Sequence, residues 1–148
     1  MRLHRFALLL VLALSACGGG EAEGEATRAE FVARADELCA EHNEKLEQAT
    51  EQLVSKPPPL SKEELDAFIE DYAAAYGDMA DDLGELEPPP GDEAIAAYMD
   101  RVQRTADGLR DADGFSDSVQ QSLQNSTREA SGLAQDVGLE VCSSSPDI

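Results

Sequence analysis

The side chains best equipped for chemistry are few: three cysteines (Cys17, Cys39, Cys142) and two histidines (His4, His42) in 148 residues. Cys39 and His42 stand three apart, so on a helix they would share a face and could hold a soft metal. Met79 and Met99 could add thioethers for Cu(I). A paired Glu-x-x-His di-iron centre is excluded, because it takes a histidine from each of two helices, and a multi-histidine zinc site fails for want of ligands. A hydrolytic triad would have to use His42, and no serine sits in an elbow with glycines two positions either side. Gly18-Gly19-Gly20 precedes no strand–helix unit, so it is not a phosphate-cradling loop. Asp81, Asp82 and Glu85 could hold Ca²⁺ loosely, but no EF-hand-type loop is present. Tyr72, Tyr76 and Tyr98 fall at core spacing and could alternatively line a ligand cleft. The inventory names no catalytic residue, no metal ligand and no cofactor.

Cys17 belongs to a different chemistry. Arg2, His4 and Arg5 open the chain, and Phe6 to Leu14 is an unbroken apolar block. A basic start, a short apolar core and then small residues is the layout of a secretory signal. The block is too short for a bilayer span, which needs roughly 20 apolar residues. Leu14-Ser15-Ala16-Cys17 resembles the lipobox of bacterial lipoproteins. The resemblance implies a diacylglyceryl group on the Cys17 thiol, cleavage after Ala16, and a mature chain that begins at Cys17. Two acyl chains anchor a protein stably where one is marginal. No arginine pair precedes the apolar block, so twin-Arg export is not indicated.

The leader carries two of the 11 Lys+Arg and none of the 31 Asp+Glu, so the mature chain holds nine basic against 31 acidic groups, a formal charge of −22. That balance excludes nucleic acid, whose binding rests on Lys and Arg against phosphate, and a basic patch for anionic lipid head groups. With Cys17 lipidated, Cys39 and Cys142 remain as an even pair outside the cytoplasm, where disulfides persist. A bond between them is expected, with two free thiols as the alternative. Closing a loop of about 100 residues would contribute roughly 4.7 kcal/mol in the chain-entropy model.

These groups must be positioned by helices, for no stretch alternates like a strand. Gly18 to Ala26 is a flexible acidic tether. Thr27 and Glu30 match a capping box that starts a first helix, whose stripe is Phe31, Ala35, Leu38, His42, Leu46, Ala49 and Leu53 with Cys39 beside it; Pro57-Pro58-Pro59 stops it near Lys56. Ser61 and Glu64 cap a second helix, with Leu60 and Leu65 as a hydrophobic staple, and Pro88-Pro89-Pro90 ends it. A third begins near Asp92 and presents Ile95, Tyr98, Val102, Ala106 and Leu109. A fourth, capped by Ser116 or Asp117, presents Val119, Leu123, Ala130, Leu133, Ala134 and Val137 and stops at Gly138-Leu139. Short connections imply antiparallel neighbours. The fold class is therefore all-α, an up-down-up-down four-helix bundle with one disulfide. Cys39 lies roughly 18 Å along the first helix, so the chain after Gly138 must fold back along it to reach that cysteine.

Phe31-x4-Asp36-x-Leu38-Cys39 early, Pro-rich corners, and Leu139-x-Val141-Cys142 after Gly138 resemble a group of small, exported actinobacterial helical proteins without an established activity. The resemblance implies the Cys39–Cys142 pairing and a helical fold, and brings no catalytic residue. The expected organisation is a signal peptide (1–16), a lipid-anchored tether (17–26), a helical bundle (27–142) and a frayed tail (143–148). The expected role is non-enzymatic binding on the extracytoplasmic face of the cell membrane. The expected partners are the membrane, through Cys17, and a protein of the envelope, with no nucleic acid. The alternative is a carrier with a small-ligand or metal-ion pocket in the bundle.

Overall fold

The computed structural model describes residues 27–144. The leader, Cys17, the tether and residues 145–148 of the expected tail lie outside the described residues. Four helices follow one another: α1 (Arg28–Val54), α2 (Lys62–Gly84), α3 (Glu93–Arg110) and α4 (Asp117–Val137), with a closing 3₁₀ turn at Cys142–Ser144. Among the described residues there is no strand. Each helix packs on the next in sequence, as short corners require, and the bundle runs up-down-up-down.

Local chemistry sets the helix ends. Thr27 Oγ1 accepts from Glu30 N (3.3 Å) and Glu30 Oε2 accepts from Thr27 N (2.9 Å). Ser61 and Glu64 repeat the arrangement at 3.2 and 2.9 Å. In both boxes the backbone N–H of the cap residue holds the glutamate below the usual carboxylate range. Asp92 caps α3 and Ser116 caps α4. Gly138 stops α4 in the left-handed region (φ 94°), and Leu139 N returns to Ala134 O at 2.9 Å, a Schellman closure.

The core differs from the expected stripe in one instructive way. On α1 the buried face runs through Phe31, Ala35, Cys39, His42, Leu46 and Ala49, while Leu38 only packs at its edge. The cysteine is fully buried on that face, because its partner Cys142 meets it in the seam between α1 and α4. α2 buries the widest arc, from Phe68 to Leu83, since it packs on both α1 and α3. Tyr72, Tyr76 and Tyr98 all lie in this core.

Polar clasps tie neighbouring helices at both ends. At one end Arg28 donates to Val137 O (3.1 Å) and Asp136 O (3.2 Å) and pairs with Asp92 (3.2 Å), so a cation sits on the carbonyl end of α4. At the other, Asp66 of α2 accepts from Phe115 N (2.9 Å) and Lys62 Nζ (2.5 Å), which lowers its pKa. Gly114 makes that approach feasible: its φ is +89° and a Cβ there would stand 2.4 Å from Asp66 Oδ1.

Burial pushes the Tyr76 phenol up to about 12, partly offset by the Thr105 hydroxyl, and pushes Tyr98 up as well. A phenol whose native pKa is raised favours folding below its ordinary pKa near 10, and that contribution is lost as pH climbs toward 12. Tyr76 alone should remove about 2 kcal/mol by pH 12. Alkaline titration followed by helical circular dichroism and tyrosinate absorbance should show both signals moving together above pH 10. Phenols that ionise near 10 with helicity intact would contradict this burial.

Candidate functional site

The chain end forms the most heavily built feature of the molecule. α1 and α4 touch each other little; the 3₁₀ turn packs on both and closes the seam between them. Cys39 and Cys142 are bonded, with Cα atoms 5.1 Å apart across a sequence separation of 103. The predicted return of the chain along α1 is therefore what happens. Leu139, 1% exposed, is buried under it.

Asp36, one turn before Cys39, does most of the polar work. Its Oδ1 accepts from Val141 N (2.9 Å) and Cys142 N (3.2 Å), and its Oδ2 accepts from Glu140 N (3.1 Å). Three consecutive amides thus converge on one carboxylate. Asn43 Nδ2 donates to Val141 O (3.4 Å), and Ser131 Oγ donates to Ser143 O (2.5 Å). Ser143 and Ser144, read from the sequence as part of the tail, belong to the turn, their hydroxyls donating to Glu140 O and Val141 O.

His42 is 1% exposed, and its Nε2 lies 2.7 Å from Asp82 Oδ2 on α2. Its Nδ1 is buried without a partner. The arrangement fits the tautomer in which Nε2–H donates to the carboxylate and Nδ1 keeps a bare lone pair. Cys39 is committed to Cys142, Met79 is core and Met99 lies at its edge, so the proposed Cu(I) ligands have other employment. Among the described residues no three His, Cys, Asp or Glu gather as a metal site. The acidic run on α2 diverges as well: Asp81 turns to Arg110 and Asp82 to His42.

Behind Cys142 lies an interior cavity bordered by Tyr76, Met79 and Tyr98, of about 10 Å³. That is room for one water at most. The tyrosines fill the core and leave no ligand cleft there.

Among the described residues a far larger concavity lies on the surface, a groove of about 800 Å³ along α2 where it faces the end of α3 and the α3–α4 corner. It is lined by carboxylates of Asp66, Glu70, Asp78, Asp81 and Asp113, and the buried Ile69, Ala73, Gly77 and Leu109 lie beneath it. Arg110 crosses one end, donating to Asp81 (3.0 Å) and Gly77 O (3.4 Å) and pairing with Asp107 (3.2 Å). Asp81 holds the guanidinium charged, raising its pKa.

The chain matches no protein-family model, no curated protein and no solved structure.

Sequence reasoning quoted Asp36 in a motif without a task, and it missed Asp82 as the partner of His42. The first carried a signal: a carboxylate three residues before a core cysteine faces whatever that cysteine meets. The second carried none, since any of several acids on α2 could have stood there. Asp36→Ala should cost about 2–4 kcal/mol by chemical denaturation with the disulfide intact, because three amides lose one acceptor. Asp82→Ala should cost about 1–3 kcal/mol despite the exposure of that carboxylate, since His42 is then left wholly unpaired. Asp78→Ala, on the same helix, should be near neutral. Equal effects for Asp78 and Asp82 would contradict the His42 assignment.

Proposed function

We propose that this chain is a lipid-anchored domain on the extracytoplasmic face of the cell membrane, and that it acts by binding a partner in the envelope. The division of its three cysteines carries the proposal. Cys17 stands at the end of a secretory leader, in the context of a lipobox, while the other two are bonded to each other. A disulfide in a small domain suits an oxidising compartment. No helix of the described residues is long and apolar enough to cross a membrane, so attachment would fall to the lipid.

The occupied state of the reactive groups supports a non-catalytic role. His42 is buried against Asp82, and Cys39 and Cys142 spend their thiols on each other. The features that do face outward are a strongly acidic surface and the groove beside α2.

Expression of the full chain in a bacterium tests the anchor. Wild type should partition into the detergent phase with an acylated N-terminus, and Cys17→Ala should leave the membrane fraction. External protease should digest the bundle in spheroplasts without lysis. Equal partitioning of wild type and Cys17→Ala, or protection from external protease, would overturn the reading.

A further inference from the structure

We infer that Asp36 is a positioning residue for disulfide formation: its carboxylate delivers Cys142 to Cys39 and so keeps the Cys17 thiol free for the lipid. The positioning role stands on the geometry of the seam; the protection of Cys17 rests also on the lipid-anchor reading above.

The sequence sets up a competition. Cys17 stands 22 positions from Cys39, whereas Cys142 stands 103 away. Loop closure costs about (3/2)RT ln n, so an unfolded chain favours the short ring about tenfold. A newly exported chain carries all three thiols into an oxidising compartment. A Cys17–Cys39 ring would consume the thiol that lipid attachment needs.

Helix formation does not remove the competitor. The capping box at Thr27 starts α1, and Cys39 lies roughly 18 Å along its axis. The ten residues from Cys17 to Thr27 span about 33 Å when extended. Cys17 therefore reaches Cys39 with α1 already formed, and selection has to come from the other end of the chain.

Asp36 supplies it. It stands one turn before Cys39 on the same side of α1. Its Oδ1 accepts from Val141 N (2.9 Å) and Cys142 N (3.2 Å), and its Oδ2 accepts from Glu140 N (3.1 Å). One side chain thus binds the cysteine being delivered and the two residues before it. Asn43, one turn beyond Cys39, donates to Val141 O (3.4 Å). The arriving segment is held on both flanks of Cys39, and the paired Cα atoms come to 5.1 Å. With the chain end seated, Cys39 is 0% exposed, which shuts Cys17 out.

The oxidant is a disulfide, of a small molecule or of an oxidoreductase. One thiolate attacks it, forms a mixed disulfide and releases the oxidant's first thiol; the other thiolate then displaces the second. Cys39 and Cys142 lose two electrons and two protons, and both oxidant sulfurs end as thiols. Asp36 takes part in neither bond; it raises the concentration of one thiol around the other.

The test refolds the reduced full chain in detergent with oxidised and reduced glutathione, traps free thiols by alkylation and maps the pairing by mass spectrometry. Wild type should form Cys39–Cys142 and leave Cys17 alkylated. Asp36→Ala should raise the Cys17–Cys39 share at least about tenfold, the shift expected from losing a single hydrogen bond to a charged group. Asp82→Ala weakens the bundle elsewhere and should pair as wild type does. In denaturant every variant should favour Cys17–Cys39. Native pairing in Asp36→Ala, equal mispairing in Asp82→Ala, or Cys39–Cys142 dominant in denaturant would each overturn the positioning role. Acylation in cells separates the two readings. Loss of acylation in Asp36→Ala, with Cys17 in a disulfide, supports both. Full acylation of Asp36→Ala refutes the protection of Cys17. Native pairing in a wild type that is never acylated refutes the anchor and leaves the positioning role standing.

Discussion

The bundle depends on how its open seam is closed. A four-helix bundle normally buries the edge between its first and last helices by packing them together. Here that edge is filled by the chain end, and the Asp36 carboxylate is what organises it. Glu140, Val141 and Cys142 point three successive N–H groups at one side chain on α1. The disulfide then makes that arrangement permanent, closing a loop whose entropy is worth roughly 4.7 kcal/mol at about 100 residues. The two devices are complementary. Hydrogen bonds to a carboxylate set the path of the chain, and the covalent bond removes much of the unfolded chain's freedom.

A chain with 31 acidic and 11 basic residues needs such devices. Self-repulsion of surface carboxylates opposes compaction. Three of the cations join elements: Arg28 on the carbonyl end of α4, Arg101 against Glu129 between α3 and α4 (2.6 Å), Arg110 between α3 and α2. Exposed pairs of this kind contribute little each. Their value lies in the register of neighbouring helices, while the core from Phe31 to Leu139 supplies the stability. Among the described residues, what remains outside is an acidic exterior with a long groove beside α2.

Much of this was legible in the residues. Thr27-x-x-Glu30 and Ser61-x-x-Glu64 have only one economical meaning, and the two proline triplets leave no room for continuous helix. Gly138-Leu139 specifies a stop with an apolar residue tucked beneath. The cysteine pairing followed once Cys17 was set aside. The placement of Cys39 at the centre of the α1 face was not legible, because its neighbour Leu38 has the better apolar credentials. Only the arrival of Cys142 in the seam between α1 and α4 decides between them. The groove was hidden for a related reason. Glu70, Asp78 and Asp113 read as a solvated face along the chain, and they become the walls of one concavity only when the α3–α4 corner packs beside α2.

Amide hydrogen exchange on the oxidised chain tests the central claim most directly. If Asp36 and the disulfide together close the seam, the amides of Val141 and Cys142 should exchange on the timescale of core helix amides, orders of magnitude slower than free peptide. Exchange of those amides at the rate of an unstructured terminus, with the helices still protected, would show a seam left open and would contradict the account.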